Sequence, residues 1–462
     1  MSRAPGALAL VLHTHMPYVE GFGTWPFGEE WLWEAVATSY VPLLDVLDAR
    51  PGRVTLSVTP VLGDQLAAPG ALERCAAFLR DVRPASHALD LEAATSAAER
   101  AALQYSAERY AAVVGAVGGV GERLAAHATW TSSATHAVLP LLATDTGVRM
   151  QVETGIAAHR ARSGSWGGGF WLPECAHAPW LDPLLAAAGV RLTCVDLTGV
   201  HEGRLPLRAP GGPVLVPLDR PALELVWSAS GYPSRGAYRD THRLTERRHP
   251  AWAVAGGAYV PERAAAQTRA DAADFVAAVA ARVGGGELCV VAFDTELLGL
   301  HWHEGVAWLA AVLDEAERTG LRIAPLDALA VEHHAAPALP VTSWGTPRDL
   351  TTWSGPAARG LAWRQRAAEL RAVAVAARPE AVSSPVAATA AVPRAAVPER
   401  AWRELLALQS SDWAFLTAHA TAGDYPLERF AGHEAAFAEA LADPAGSAPA
   451  LRGLAPRLAN VV

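Results

Sequence analysis

Cysteine is scarce in this chain. The four in 462 residues (Cys75, Cys175, Cys194 and Cys289) lie far apart with no Cys-x-x-Cys pair, which excludes a disulfide framework and a sulfur-ligated zinc site. Charge is thin as well: 18% of residues are charged and the formal net charge is −9, so the electrostatics needed to follow a phosphate backbone are missing and nucleic acid is not an expected partner. No uninterrupted apolar run reaches the roughly 18 residues of a membrane span, although 51% of residues are hydrophobic. The glycine triplets Gly167–Gly169 and Gly284–Gly286 lack the Lys-Ser/Thr of a P-loop, and no Gly-x-Ser-x-Gly elbow occurs, which removes the simplest signs of nucleotide binding and of an esterase. The opening apolar stretch runs straight into His13 and His15 without a small-residue cleavage pattern. It reads as a first core strand rather than a signal peptide, and the expected location is cytoplasmic.

Tryptophan, by contrast, is plentiful: 16, against 9 Phe and 8 Tyr. An indole offers a large flat face and one N–H donor, suited either to filling a core or to stacking on a ligand.

Short apolar runs at Ala7–Leu12, Arg53–Val58, Gly169–Leu172, Arg191–Val195, Pro213–Leu218 and Glu287–Phe293 read as buried strands, with a further short β run at Leu223–Trp227. Helical patterns occupy about Trp31–Ala49, about Ala71–Ala126 with breaks near Pro84 and Gly118–Gly119, Val306–Thr319, Ala358–Ala376, Glu399–Ala418 and Leu427–Leu441. Polar residues at the ends of apolar strands, with helices after them, describe an α/β layer or barrel whose functional rim is built from βα loops. The expected catalytic unit is 1–345, with a loop-rich or helical insertion somewhere in 60–126 and 198–261. A helical unit follows at 346–462, with a Pro/Ala-rich connector near 377–398.

Several of those strand ends carry chemistry. His13 and His15 are two apart and share one side of an extended chain, a geometry open to metal binding, to hydrogen bonding with sugar hydroxyls or to simple strand-end capping. Glu174 follows the apolar run Gly169–Leu172 and a rigid proline, and Asp294 follows Leu288–Phe293. Two carboxylates at equivalent strand ends can face one pocket, as glycoside hydrolysis requires; each can equally cap the helix after it. His136 and Asp412-Trp413 add further polar groups in apolar surroundings.

Taken in order, His13-Thr14-His15-Met16-Pro17-Tyr18, Ala134-Thr135-His136 with Leu139-Pro140, Gly169 to His177, Ala292 to Leu297 with His301 to Gly305, and Ser410 to Trp413 resemble the five motif regions of glycoside hydrolase family 57. Within that family the pattern is most similar to the α-1,4-glucan branching enzymes, and Trp227-Ser228 with Gly231-Tyr232-Pro233 resembles a donor-site segment of those enzymes. The resemblance implies an α/β fold, an incomplete (β/α)7 barrel with a small inserted subdomain and a C-terminal helical domain, with no cofactor and no metal. It also implies an α-1,4-glucan such as amylose or a glycogen-like polysaccharide as partner. By position, Glu174 would be the nucleophile and Asp294 the general acid/base of a retaining transfer to a 6-hydroxyl. His13, His15, Trp25, His136, Trp171, Trp227, Trp302, Trp353, Trp363, Asp412 and Trp413 would bind the glucan. One departure bears on the outcome. Branching members of the family carry a loop tyrosine that helps exclude water, whereas no tyrosine occurs here between Glu174 and Tyr232, and only 120 positions (294 − 174) separate the two acids. An α-amylase or 4-α-glucanotransferase with a shortened catalytic loop is therefore the rival expectation, and a catalytically weak glucan-binding protein the third.

Overall fold

The computed structural model describes residues 6–284, 286–377, 397–443 and 453–459. The connector expected near 377–398 lies almost wholly outside the described residues. Seven mutually parallel strands form the centre: β1 (Ala7–Thr14), β2 (Thr55–Val58), β3 (Ala128–Ser132), β4 (Gly169–Trp171), β5 (Leu192–Val195), β6 (Val214–Pro217) and β7 (Leu288–Asp294). They lie in the order β6-β5-β4-β3-β2-β1-β7, and two-residue strands at Leu207–Arg208, His334–Ala335 and Arg322–Ile323 extend or flank the sheet. β1 is an interior strand, flanked on both sides. All eight of its residues are buried, and it pairs with β2 on one side and along its length with β7 on the other, so that His13 stands beside Asp294. Nearly continuous apolar runs are what a sheet covered on both faces demands.

The sheet is curled. The N–H of Asp219, just after β6, donates 2.7 Å to the carbonyl of Val290 in β7, the strand at the other end of the parallel order. Helices pack outside, among them Asp145–Ser163, which crosses so close to β3 that a Cβ on Gly155 would sit 2.1 Å from the Ser132 carbonyl oxygen. Glycine is required there by space, not by backbone angle.

A C-terminal helical region closes one end. Helices Arg359–Ala376, Glu399–Leu408, Ser411–His419 and Tyr425–Ala442 share an apolar core with Tyr18, Val61 and Val138, from the segments that follow β1, β2 and β3, and with Met150 of the helix Asp145–Ser163. Thus the helices sit directly on the C-terminal ends of the strands.

Three local readings change. Leu223–Trp227 is helix, not strand: Asp219 caps the helix Arg220–Trp227 by accepting from the Ala222 N–H, and Pro221 occupies the first turn. Pro84 breaks nothing, because it falls in the first turn of Arg83–Ala93 after a π-helical turn at Phe78–Val82. The expected single helix Glu399–Ala418 is two, parted at Ser410. Among the described residues no helix is long and apolar enough to cross a membrane.

Candidate active site

His13, His15, His136, Glu174 and Asp294 stand at or just past the C-terminal ends of parallel strands. β4 leads through Leu172-Pro173 to Glu174, whose backbone (φ 61°, ψ 22°) is left-handed, as are those of Cys175 (φ 48°) and His136 (φ 60°). Such angles cost free energy in residues with a Cβ and mark places where the surrounding structure dictates aim. Here the turn points Glu174 back over the strand ends. Its Oε2 accepts 2.9 Å from the Trp344 indole N–H, and the two residues are also joined by a 3.0 Å backbone bond from the Trp344 N–H to the Glu174 carbonyl.

Aromatic rings tile the floor. His13 stacks on Trp171 with centroids 4.8 Å apart and His15 stacks on His136 at 4.0 Å. Trp344 meets Trp171 edge-on at 5.0 Å and Trp227 at 4.6 Å. The histidines are tied together as well: His13 and His136 share a 2.9 Å bond between their Nε2 atoms, His136 Nδ1 meets Ser411 Oγ at 2.8 Å, and His15 Nε2 meets Asp412 Oδ1 at 3.0 Å. Burial and the neighbouring imidazoles hold His13 and His136 well below the usual histidine pKa, so both are neutral near pH 7.

Three of the carboxyl groups shift one way and a fourth the other. Burial pushes Glu174 up, reinforced by the charge of Asp294; burial pushes Asp294 up, reinforced by Glu296; and burial pushes Glu296 up. Burial would also raise Asp412, but the facing His15 imidazole, its hydrogen bond and that from Ser410 outweigh it and hold this group below the aspartate range.

The structure therefore brings together His13, His15, His136, Trp171, Glu174, Trp227, Asp294 and Asp412. It does not bring the remaining tryptophans to the cleft. Trp302 is 1% exposed and wedged against Trp308 and Tyr238. Trp353 is 2% exposed, and Trp413 is 1% exposed with its N–H donated to the Ala407 carbonyl, so each offers a sugar no open face. These three are packing residues. Trp25 and Trp363 are 61% and 68% exposed, and among the described residues no hydrogen bond or ring contact ties either to the carboxylates. Conversely, Trp344 and Tyr40 belong to the site without having been assigned to it, as do Glu296 and Ser411, which lie inside the motif regions but were given no role there. Trp344 lies 170 positions from the glutamate it serves, and no spacing rule links them. Among the described residues, no three His, Cys, Asp or Glu side chains gather so as to hold a metal ion.

Carboxylates at the C-terminal ends of strands in one curled sheet, floored by indole and imidazole rings, are the equipment of glycosidic-bond cleavage. Comparison with known proteins refines this. The model for glycosyl hydrolase family 57 matches residues 129–222, and that for the C-terminal region of 1,4-alpha-glucan branching enzymes matches residues 374–451. A probable 1,4-alpha-glucan branching enzyme of Mycobacterium tuberculosis is 33% identical over 487 residues, spanning 93% of this chain and 90% of that protein. The crystal structure of a branching enzyme of this type from Pyrococcus horikoshii superimposes with a TM-score of 0.83 at 29% identity, covering 93% of this chain and 88% of that one. An α-amylase from Thermotoga maritima shares the fold, with a TM-score of 0.75 at 22% identity over 95% of this chain and 93% of that one. The chain belongs to glycosyl hydrolase family 57.

Proposed function

We infer that this protein is a 1,4-α-glucan branching enzyme, which cleaves an α-1,4 bond and passes the released chain to a 6-hydroxyl of another glucan. What carries the reading is the extent of the likeness: it covers 93% of the chain and 90% of a probable branching enzyme, and the C-terminal branching-enzyme model matches as well. The curled sheet is read as an incomplete (β/α)7 barrel, its seven members being β1–β7.

In the reaction, Asp294 gives its proton to the departing glycosidic oxygen while Glu174 attacks the anomeric carbon, leaving the chain covalently held on Glu174. Asp294, now a carboxylate, takes the proton of the incoming hydroxyl as that oxygen displaces Glu174. Two displacements preserve the α configuration. The acceptor decides the product: a 6-hydroxyl makes a branch, and water makes a hydrolase.

Hydrolysis or α-1,4 transfer is the second reading, and a specific observation favours it. Residues 175–231 hold no tyrosine, and Tyr232 is buried with its hydroxyl donated to Asp274 rather than placed over the carboxylates. Incubation with amylose separates the two. New chains released by a debranching enzyme, without matching reducing ends, are expected; reducing ends without branches would overturn the branching assignment. Glu174→Gln should abolish both signals.

A further inference from the structure

Three carboxyl groups crowd the strand ends: Glu174, Asp294 and Glu296. Like charges in a buried site disfavour full ionisation, so such a cluster retains a proton near neutrality, and hydrogen-bond donors decide where it sits. Donors favour the ionised form of the group they reach. Glu174 Oε2 receives the Trp344 indole N–H at 2.9 Å. Glu296 Oε1 receives two: the Tyr40 hydroxyl at 2.6 Å and the His15 backbone N–H at 3.1 Å. Asp294 receives no side-chain hydrogen bond from any described residue. Burial raises all three carboxyls, the two glutamates to about 8 and Asp294 to about 7, so the cluster holds a proton near neutrality; the donors reach only the glutamates and oppose that rise there, leaving Asp294 as the carboxyl with none to favour its anion.

The supporting framework is specific to Glu296. It lies two residues past Asp294 in the turn Thr295–Leu297, which is itself pinned: Thr14 Oγ1 meets Thr295 Oγ1 at 2.7 Å, and Ser39 Oγ donates 2.9 Å to the Thr295 carbonyl. Ser39 and Tyr40 both sit in a π-helical turn, Val36–Tyr40, inside an otherwise α-helical segment. That extra residue per turn is a common device for aiming a side chain at a functional site. Burial and the nearby Glu296 charge hold the Tyr40 phenol far above its usual pKa, so it remains a donor.

We propose that Glu296 is a positioning residue: an anion fixed by the Tyr40 hydroxyl and the His15 N–H, whose charge keeps the transferable proton on neighbouring Asp294. The proposal rests on the role given to Asp294 above and deepens it. Glu296 neither gains nor loses a proton during the reaction. Before cleavage its charge keeps Asp294 protonated; after Asp294 has protonated the leaving oxygen, the same charge makes the new Asp294 carboxylate a stronger base for the acceptor hydroxyl. The titratable groups that face this pair are His13 and His15 from the end of β1, Tyr40 from its helix, and Glu174 from the turn after β4, with Asp412 behind His15.

Glu296→Gln tests it, because the amide oxygen can still accept from Tyr40 and His15 while the charge is gone. The basic limb of the pH profile of kcat/KM, which reports the acid in the free enzyme, should move to lower pH by about one unit, the size of effect a like charge in contact exerts. KM should change little. Tyr40→Phe should move the limb the same way by less, since Glu296 keeps one donor. A Glu296→Gln enzyme slowed equally at every pH, with its limb unmoved, would overturn the proposal and leave a purely structural role. If that variant lacks a cooperative melt, Tyr40→Phe decides, and an unmoved limb there has the same meaning. Titration of carboxyl-labelled aspartate in the resting enzyme, with the Asp294 signal identified by its loss in Asp294→Asn, reads the same shift without turnover. Wild type inactive on amylose, or Asp294→Asn as active as wild type, strikes the catalytic reading and not this one; the titration then judges Glu296 alone.

Discussion

An indole N–H aimed at Glu174 Oε2 favours the anion that must attack, in a place where burial favours the acid. Trp344→Phe removes that donor while keeping a ring against Trp171 and Trp227. Loss of a hydrogen bond to a charged group is worth about 1.5–3 kcal/mol, so kcat/KM should fall roughly ten- to a hundredfold. Because the lost bond had lowered the Glu174 pKa, the acidic limb of the profile should also move to higher pH, which a pH series of initial rates would register. An acidic limb that stays in place would mean that the indole acts by shape alone. Asp294→Asn, which can neither give nor take the proton, should cost about 10² to 10⁴ in rate. Glu174 and Asp294 were legible in the sequence because each follows an apolar run that had to be a strand. Trp344 was not, because its partner is distant in the chain and nothing local to Ser343-Trp344-Gly345 signals a carboxylate.

Among the elements, β3 is the instructive miss. Ala128–Ser132 has no apolar run: it carries two threonines and a serine, yet all but Thr129 are buried. Their hydroxyls are satisfied inside, Ser132 Oγ donating 2.8 Å to the Trp171 carbonyl and Thr131 Oγ1 donating 3.3 Å to the Gly155 carbonyl. Polar residues read as surface until a tertiary partner is known. The helices Asp145–Ser163 and Pro261–Arg282 likewise had no clear apolar stripe to betray them: the first scatters Val148, Met150, Val152 and Ile156 among polar residues, and the second is largely alanine and charge. Close approach of the first of these to β3 sets a prediction for the pair. Gly155→Ala should destabilise the protein by about 1–3 kcal/mol, the usual range for overpacking, because the new methyl meets a backbone carbonyl that cannot rotate away. A thermal melt unchanged from wild type would show that the helix can shift outward.

Across the molecule, the C-terminal helices do more than cover the cleft. The Ser411 N–H donates 3.2 Å to the His136 carbonyl, Ser411 Oγ meets the His136 ring, and Asp412 meets His15, so the helix Ser411–His419 is bonded to two strand-end loops. Asp412→Asn should lower stability at neutral pH by about 1–3 kcal/mol. The pH dependence has a definite sign. Asp412 has a folded pKa below the ordinary aspartate value of about 3.9, so its contribution is complete above that value and is lost as pH falls through the folded pKa. Melting temperatures of wild type and variant should therefore converge as pH drops below about 4. A constant gap would mean that Asp412 contributes by packing rather than charge.

Strand ends, the two acids and the histidine pair could be read from residue order, because hydrophobic periodicity and strand alternation are local and a strand's polar terminus is adjacent to it in the chain. Partners could not. The ring of Trp344 on Glu174, the Tyr40 hydroxyl on Glu296 and Asp412 on His15 join positions 170, 256 and 397 residues apart. The burial of Trp302, Trp353 and Trp413 belongs with them: an indole in the sequence is equally a core residue and a sugar platform, and only the packing around it settles which face, if any, is left open.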